Sequence, residues 1–426
     1  MELHLIKKPS AYFYNINIIT IFITIIIMMI LLFASSTSTY KRSAEIVDAA
    51  LTNAAEDIQT KSDTSENCDI FSGEWVPDPN APYYTNTTCW AIYETQDCLK
   101  NGRPDLGFLK WRWRPDGCEL SPFDPFLFLN LVRDRTMAFI GDSLSRNHLQ
   151  SMMCLLSGSV NPVDVSKPDN PYSSWKYESY NFTVVNLRSP FLVRFDEPAA
   201  ANTGIFQLYL DELDESWTSQ IDDFDYIILS FGHWYSRSAV YHQKRRVVGC
   251  HGCHDPNITR TPPTHSLGVA LRAAFEAINS RRSFHGTTFL RTFSPSHFEG
   301  EWREGADCPR RRPFTRNETA LEGFFLDVYE TQLKEYFRVV ERGKMNKFRL
   351  LDLTRAMLMR PDGHPSRYGH GPDKRTAGTI NDCLHWCLPG PIDSWSDFLL
   401  HMIKMEQRDK LFSVNKKMML NKSNNY

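Results

Sequence analysis

Two short segments of the sequence carry the residue types of nucleophilic catalysis. Phe139-Ile140-Gly141-Asp142-Ser143 reads as a buried strand that ends in Gly-Asp-Ser and runs into a helix from about Leu144. A serine at such a junction has its backbone N–H at a helix N-terminus, where negative charge is stabilised, and its hydroxyl at the carboxyl edge of a sheet. That suits a nucleophile beside an oxyanion site. It equally suits an N-cap serine after a turn glycine, the commoner role of an isolated Gly-Asp-Ser. Near the other end, Asp382-Cys383-Leu384-His385-Trp386-Cys387 sets a carboxylate three residues before a histidine. A serine nucleophile needs a base, and the base needs a group that fixes its tautomer and stabilises its cation. Asp-x-x-His alone is a common helix-surface spacing. Together the two segments predict a relay of Ser143, His385 and Asp382.

The elements that must position these residues are short and alternate in type. Thr136 to Ile140, Phe182 to Leu187, Tyr226 to Ser230, Thr288 to Phe293 and Phe348 to Leu353 are apolar or β-branched runs of strand length. Leu144 to Leu156, Leu267 to Ile278 and Thr319 to Val339 carry helical spacing, as in Leu321, Phe324, Phe325, Val328 and Leu333. This alternation predicts an α/β fold with a mainly parallel sheet and helices on both faces. Pro- and Gly-rich stretches near 160–175, 249–266 and 299–316 read as long loops, which tend to form the ligand face of such a body. From Cys68 to Cys118 the chain holds Trp75, Trp90, Trp111 and Trp113, many turn residues, and Cys89 and Cys98, an irregular disulfide-tied segment. No internal repeat is present.

The residues around the two segments narrow the reading. Gly-Asp-Ser at a strand end followed by a late Asp-x-x-His, in that chain order, resembles the SGNH or GDSL hydrolases, with Ser143, Asp382 and His385 as the matching triad. Gly141 through His148 (GDSLSRNH) and Asp382 through Gly390 (DCLHWCLPG) are similar to the two signature blocks of the plant trichome birefringence-like family of polysaccharide O-acetyltransferases. Cys68 through Val76 (CDIFSGEWV) and Trp111-Arg112-Trp113-Arg114-Pro115 resemble that family's amino-terminal signature, and the likeness spans about residues 68 to 400. Val247 through Cys253 and Ser294 through Glu299 resemble the subgroup that acts on xyloglucan. Ser230 departs from the family, where Asn is frequent before Phe231-Gly232-His233-Trp234. The resemblance implies acetyl transfer through an acetyl-enzyme on Ser143 to a wall polysaccharide, the candidates for oxyanion or substrate contact being Gly141, Asp142, Arg146, Gly232, His233 and Trp234. It implies an acetyl donor of unspecified identity, itself or through a donor-supplying membrane protein, no bound cofactor and no metal. It also implies a Golgi location and the pairings Cys68 with Cys118, Cys89 with Cys154, Cys98 with Cys387 and Cys308 with Cys383, leaving Cys250 with Cys253. Acetylester hydrolysis is the nearest alternative activity, xylan, mannan or pectin are alternative acceptors, and a non-catalytic polysaccharide-binding protein is an alternative of another class. Trp234, Tyr235 and Trp302 are candidate sugar platforms, with core packing the more frequent use of such residues.

The rest of the sequence speaks to compartment. With 48 Lys+Arg against 50 Asp+Glu there is no single-sign excess to track a nucleic-acid backbone. No charged residue lies between Lys8 and Lys41, and residues 18–34 are almost unbroken apolar, long enough for a membrane span and longer than the apolar stretch of a usual signal peptide. Ala34-Ser35-Ser36 is the alternative cleavage site. Ten cysteines, all from Cys68 onward, and sequons at Asn86, Asn181, Asn257, Asn317 and Asn421 suit an oxidising lumen. The expected organisation is a cytosolic tail (1–17), a signal anchor of type II orientation (18–34), a flexible stem (35–67), a lumenal catalytic domain (68–405) and a polar C-terminal tail (406–426). Cys250-His251-Gly252-Cys253-His254 has the spacing of a c-type haem attachment but no further haem context, and zinc would need more ligands; a local disulfide is preferred. Arg310-Arg311-Arg312 reads as a solvated or acceptor-facing patch.

Overall fold

The computed structural model describes Met28 and residues 68–167, 172–198, 204–300, 305–341, 347–376 and 378–423, with side chains to residue 408. The chain divides into Met1–Cys68 and Asp69–Tyr426, and all that follows concerns the second unit. Apart from Met28, the expected tail, anchor and stem lie outside the described residues, as does Trp302. Among the described residues no helix is long and apolar enough to cross a membrane.

Thirteen strands occur among the described residues: β1 (Gly73–Pro77), β2 (Trp111–Pro115), β3 (Thr136–Gly141), β4 (Val163–Asp164), β5 (Ser173–Tyr177), β6 (Phe182–Arg188), β7 (Val193–Asp196), β8 (Phe206–Leu213), β9 (Tyr226–Ser230), β10 (Ala239–Gln243), β11 (Arg246–His251), β12 (Thr287–Arg291) and β13 (Phe348–Leu351). The five runs expected to be strands are β3, β6, β9, β12 and β13. They are parallel neighbours in the order β13-β12-β9-β3-β6. β5 and β4 extend the β6 edge antiparallel, so the central sheet is mixed at that edge.

Side chains alternate across this sheet as the pleat requires. Met137, Phe139 and Ile228 join one core with helix Ser143–Ser157 and the start of helix Ser394–Ser423. Ala138, Ile140, Ile227 and Leu229 join the other with helices Pro263–Ser280 and Gly323–Glu341. Helices therefore cover both faces. Strand order reverses at β3: the chain goes from β3 to β6 on one side and later to β9 on the other. The crevice at the carboxyl ends of β3 and β9 is the switch point where open α/β sheets bind ligands.

Three differences from the sequence reading have physical causes. A second sheet, β11-β10-β8-β7, takes up chain to which the sequence assigned no strand, and residues 249–251 of an expected loop. Its strands are short, half-solvated and broken by register shifts at Tyr241/His242 and Val193/Arg194, which blurs a two-residue period. The presumed loop at 160–175 contains β4 and the start of β5. Finally, the last helix, Ser394–Ser423, runs across the boundary expected at 405/406.

The N-terminal segment is irregular and tied to the body. β1 and β2 pair antiparallel, with Trp75 and Trp113 edge to face. Trp75 Nε1 donates to the Ala356 carbonyl at 2.8 Å and the Leu388 N–H to the Gln96 carbonyl at 2.9 Å. Disulfides join Cys89 to Cys154, Cys98 to Cys387, Cys250 to Cys253 and Cys308 to Cys383. Cys118 is also disulfide-bonded.

Candidate active site

Ser143 opens helix Ser143–Ser157 directly after β3. Asp142 is the N-cap: its Oδ1 accepts from the Leu144 N–H at 3.0 Å, satisfying one of the donors that every helix start leaves open. The turn needs glycine before it. A Cβ on Gly141 would lie 1.8 Å from the Ser230 carbonyl oxygen, and φ is +154°. β3 and β9 thus approach so closely at their ends that only a bare backbone fits.

Asp382 and His385 come from an irregular stretch between β13 and the last helix. Ser143 Oγ and His385 Nε2 are 2.7 Å apart, and His385 Nδ1 is 2.8 Å from Asp382 Oδ2. The Asp382 carboxylate also accepts the backbone N–H groups of Leu384 and His385, at 3.1 and 2.9 Å. The His385 N–H faces a carboxylate, so Nδ1 carries the proton and Nε2 is the acceptor for the serine hydroxyl. Burial works against an imidazolium at His385, but the Asp382 charge and hydrogen bond outweigh it and hold the imidazole above its ordinary value. Burial likewise opposes the Asp382 charge, and His385 with the two backbone donors lowers it to about 2. The two side chains keep about a fifth of their surface open, enough for a reactant to reach them.

The other expected site residues fall into two groups. Gly141, Asp142, Gly232 and His233 lie together behind Ser143. His233 Nε2 donates to the Ser294 carbonyl at 2.7 Å, its ring stacks on Phe293, and its Nδ1 is 3.7 Å from Asp142 Oδ2. Asp142 is buried; burial opposes its charge, but His233, Arg291 and the Leu144 N–H hold it below the usual carboxylate range. Arg146, one turn along the helix, places its guanidinium 5.1 Å above the Tyr93 ring. Trp234 is elsewhere: it packs against Phe191 and Phe206 under the second sheet, with Arg188 and Arg237 over its ring. Tyr235 is buried and donates its hydroxyl to the Phe191 carbonyl at 2.6 Å, so it is a core residue and no sugar platform.

Several residues that the sequence did not single out complete the site. Arg291, at the end of β12, is wholly buried and donates through Nε to Ser230 Oγ at 2.9 Å and through Nη2 to the same oxygen. Burial lowers its guanidinium to about 10 against the pull of Asp142, and Trp395 lies 4.8 Å from it. The departure at Ser230 thus gives Arg291 a hydroxyl acceptor. Arginine closing an apolar strand, β12, one strand removed from the Gly-Asp-Ser strand was the available signal. His148 sits between Phe139 and Trp395, and burial and Arg291 push it down to about 3, so it is a neutral aromatic. Behind His385, Arg103 donates to the carbonyls of Asp362 and His364 at 2.6 and 2.9 Å. The one potential ligand cluster among the described residues, Asp307, Cys308 and Cys383, has its two cysteines bridged to each other.

This geometry sits within a recognisable sequence. Residues 120–402 match the GDSL/SGNH-like acyl-esterase family found in Pmr5 and Cas1p. The chain belongs to that family. Residues 66–119, which include the irregular tryptophan-rich segment, match the PMR5 N-terminal domain. Protein trichome birefringence-like 19 of Arabidopsis thaliana is 53% identical over 364 residues, 83% of this chain and 85% of its own. Xyloglucan O-acetyltransferase 4 of Populus trichocarpa is 42% identical over 80% of this chain and 81% of its own. Xyloglucan O-acetyltransferase 3 of the same species is 38% identical over 93% and 97%. Among GDSL/SGNH-like acyl-esterases, this member therefore lies close to the trichome birefringence-like and xyloglucan O-acetyltransferase proteins.

Proposed function

We propose that this protein transfers acetyl groups to hydroxyls of a plant cell-wall polysaccharide, xyloglucan in particular, through an acetyl ester on Ser143. The observation that carries the reading is the unbroken chain of hydrogen bonds from Ser143 Oγ through His385 to Asp382. The similarity to xyloglucan O-acetyltransferases supports the acceptor class.

In the first half, His385 Nε2 takes the Ser143 proton as Oγ attacks the donor acetyl carbonyl, and Asp382 stabilises the imidazolium. The oxyanion meets the Ser143 N–H, the first of the helix and so without an intrahelical acceptor, with the Gly232 N–H and the Arg146 side chain as further donors. The C–O bond to the donor's leaving group breaks, and His385 returns its proton to that group. In the second half a sugar hydroxyl attacks the acetyl ester, His385 takes its proton, and Ser143 leaves as the hydroxyl it began as. Transfer rather than hydrolysis requires the glycan to hold its hydroxyl in attack geometry while water is kept out. We assign the body to the Golgi lumen behind an anchor at 18–34, with glycans on the sequons; Asn181, Asn257 and Asn317 are exposed.

The test is acetylation of oligosaccharides by the full chain with p-nitrophenyl acetate as surrogate donor, read by mass. Acetylated xyloglucan fragments are expected in excess over xylan or mannan fragments, with an acetyl mass on the Ser143 peptide. Ser143→Ala, His385→Ala and Asp382→Ala are each expected to lose about 10⁴-fold in rate, and non-additively. Normal turnover in a folded Ser143→Ala protein would overturn the mechanism. Equal acetylation of xylo-oligosaccharides would overturn the acceptor, and product acetate without acetylated sugar would make the protein an acetylesterase.

A further inference from the structure

His297 and His364 lie behind the His385 segment and make a chain of three contacts. His364 Nδ1 is 2.7 Å from the His385 carbonyl oxygen, His364 Nε2 is 2.7 Å from His297 Nδ1, and His297 Nε2 is 2.9 Å from the Leu358 carbonyl oxygen. The two outer contacts end on carbonyls, which only accept, so each needs a proton on the imidazole side. The middle contact also needs one. Two neutral imidazoles bring two protons to three contacts, and any placement leaves two lone pairs facing each other at hydrogen-bond distance. A third proton resolves all three.

We infer that His297 and His364 share one proton between them as a singly charged pair, and that through it they act as positioning residues that fix the peptide of His385. The inference rests on the catalytic reading of His385 given above. His297 holds the same segment a second time, since its backbone N–H donates to the Cys383 carbonyl at 3.0 Å. The charge has a partner in the Trp386 ring, stacked 4.1 Å from His364 at an interplanar angle of 25°. The charged groups around the pair are mixed. Asp362, Glu299 and Asp382 favour the proton; Arg103 opposes it. Asp362 is ion-paired with Arg360, and Glu299 with Arg310. Burial disfavours charge on each ring and holds both imidazoles below the ordinary value, His297 down to about 4, and His297 further disfavours it on His364. The three hydrogen-bond distances, which two protons cannot satisfy, are what call for the third proton against that burial, and the same burial resists a fourth.

The sign follows. Below the point at which the shared proton is lost, the chain is complete and His385 is held. Above it, one contact fails and the His385 carbonyl loses its donor or the pair separates. Activity therefore falls at alkaline pH for a reason unrelated to the titration of His385, which limits it at acid pH.

The experiment compares pH–rate profiles for p-nitrophenyl acetate cleavage by the full chain, wild type against His297→Asn and His297→Leu. An asparagine amide nitrogen can occupy the place of His297 Nδ1 and bring a proton that does not titrate. His297→Asn is expected to keep kcat within about threefold of wild type and to lose the alkaline limb. His297→Leu is expected to lower kcat at least tenfold with KM unchanged. An alkaline limb that persists in His297→Asn, or a wild-type kcat in His297→Leu, overturns the inference. If His297→Leu does not fold, nitrogen-15 NMR of histidine-labelled wild type, assigned with His297→Asn, decides: three protons on the pair across the active pH range support it, and two overturn it. The same spectrum in Ser143→Ala keeps the two readings apart, because the pair's protons persist there whether or not Ser143 is the nucleophile.

Discussion

Ser143 and His385 face each other across 2.7 Å but are held in place by opposite means. Ser143 stands where two regular elements meet, and its position follows from β3 pairing with β6 and β9 and from one capped helix. The segment from Thr354 to Asp393 has one short helix and isolated turns, and it is fixed by connections from far along the chain. Cys98 reaches Cys387 over 289 residues, Cys308 reaches Cys383 over 75, and Arg103, Gln96 and His297 hold backbone groups of the same stretch. A strand and helix impose their geometry through local hydrogen bonds. An irregular segment has no such source of order, and each fixed φ and ψ there costs conformational entropy that only tertiary contacts can offset. Long-range ties, several of them from the N-terminal segment, thus do for His385 what the sheet does for Ser143.

The comparison is broken most severely on the sheet side. Gly141→Ala sets a Cβ against backbone of β9, which cannot move without unpairing the sheet. Loss of more than about 4 kcal/mol of stability is expected, in the range of exceptional core lesions, along with activity. Denaturant unfolding that moved by less than about 1 kcal/mol would mean the turn is more adaptable than described.

The irregular side should break differently. Cys98→Ser with Cys387→Ser is expected to cost about 2 to 5 kcal/mol and to lower kcat about a hundredfold in protein that is still folded, since a displacement near 1 Å suffices. Cys89→Ser with Cys154→Ser is the control: it removes a bridge from the far end of the helix that Ser143 opens. A similar loss of stability with kcat near normal is expected there. Equal losses of kcat in the two double variants would show that the bridges act only on global stability.

A milder perturbation is pH. In the proposed mechanism His385 accepts a proton only when neutral, and Asp382 holds its affinity for a proton above the ordinary value near 6.5. Activity should therefore fall tenfold per pH unit below an apparent value above 6.5. Asp382→Asn should move that limb toward more acid pH in the residual activity. An unmoved limb would assign it to another group.

The same contrast explains what could be read from sequence. β3, β6, β9, β12 and β13 are continuous apolar runs because both faces are covered, and a buried parallel strand announces itself in composition. Ser143, Asp382 and His385 were readable as motif residues. Arg291, His297, His364 and Arg103 were not readable in these roles, because their partners are 21 to 261 residues away. No local period encodes such contacts. Tyr235 failed as a sugar platform for a related reason: an aromatic beside a predicted site looks the same in sequence whether it faces ligand or core.

The smallest effect concerns the support behind the irregular segment, where the last helix begins. Asp397 is buried, with Oδ1 accepting from the Tyr83 hydroxyl at 2.7 Å and the Phe123 N–H at 2.9 Å. Burial raises its carboxyl to about 8, aided by Asp393 and opposed by those two donors. An unfolded aspartate ionises near 3.9. The folded state therefore binds the proton more tightly, its stabilising contribution is complete below about pH 4, and it is lost as pH rises toward 8. Asp397→Asn keeps an oxygen for both donors and removes the charge. Near pH 4 and below it should match wild type, and the advantage should grow to the order of 1 kcal/mol near neutrality, short of the full linkage limit of about 1.4 kcal/mol per pH unit because the site relaxes around the charge. Urea unfolding at several pH values measures this directly. A variant that is less stable than wild type at every pH would mean that Asp397 works as an ionised acceptor, and that charge rather than a neutral carboxyl anchors the last helix to the N-terminal segment.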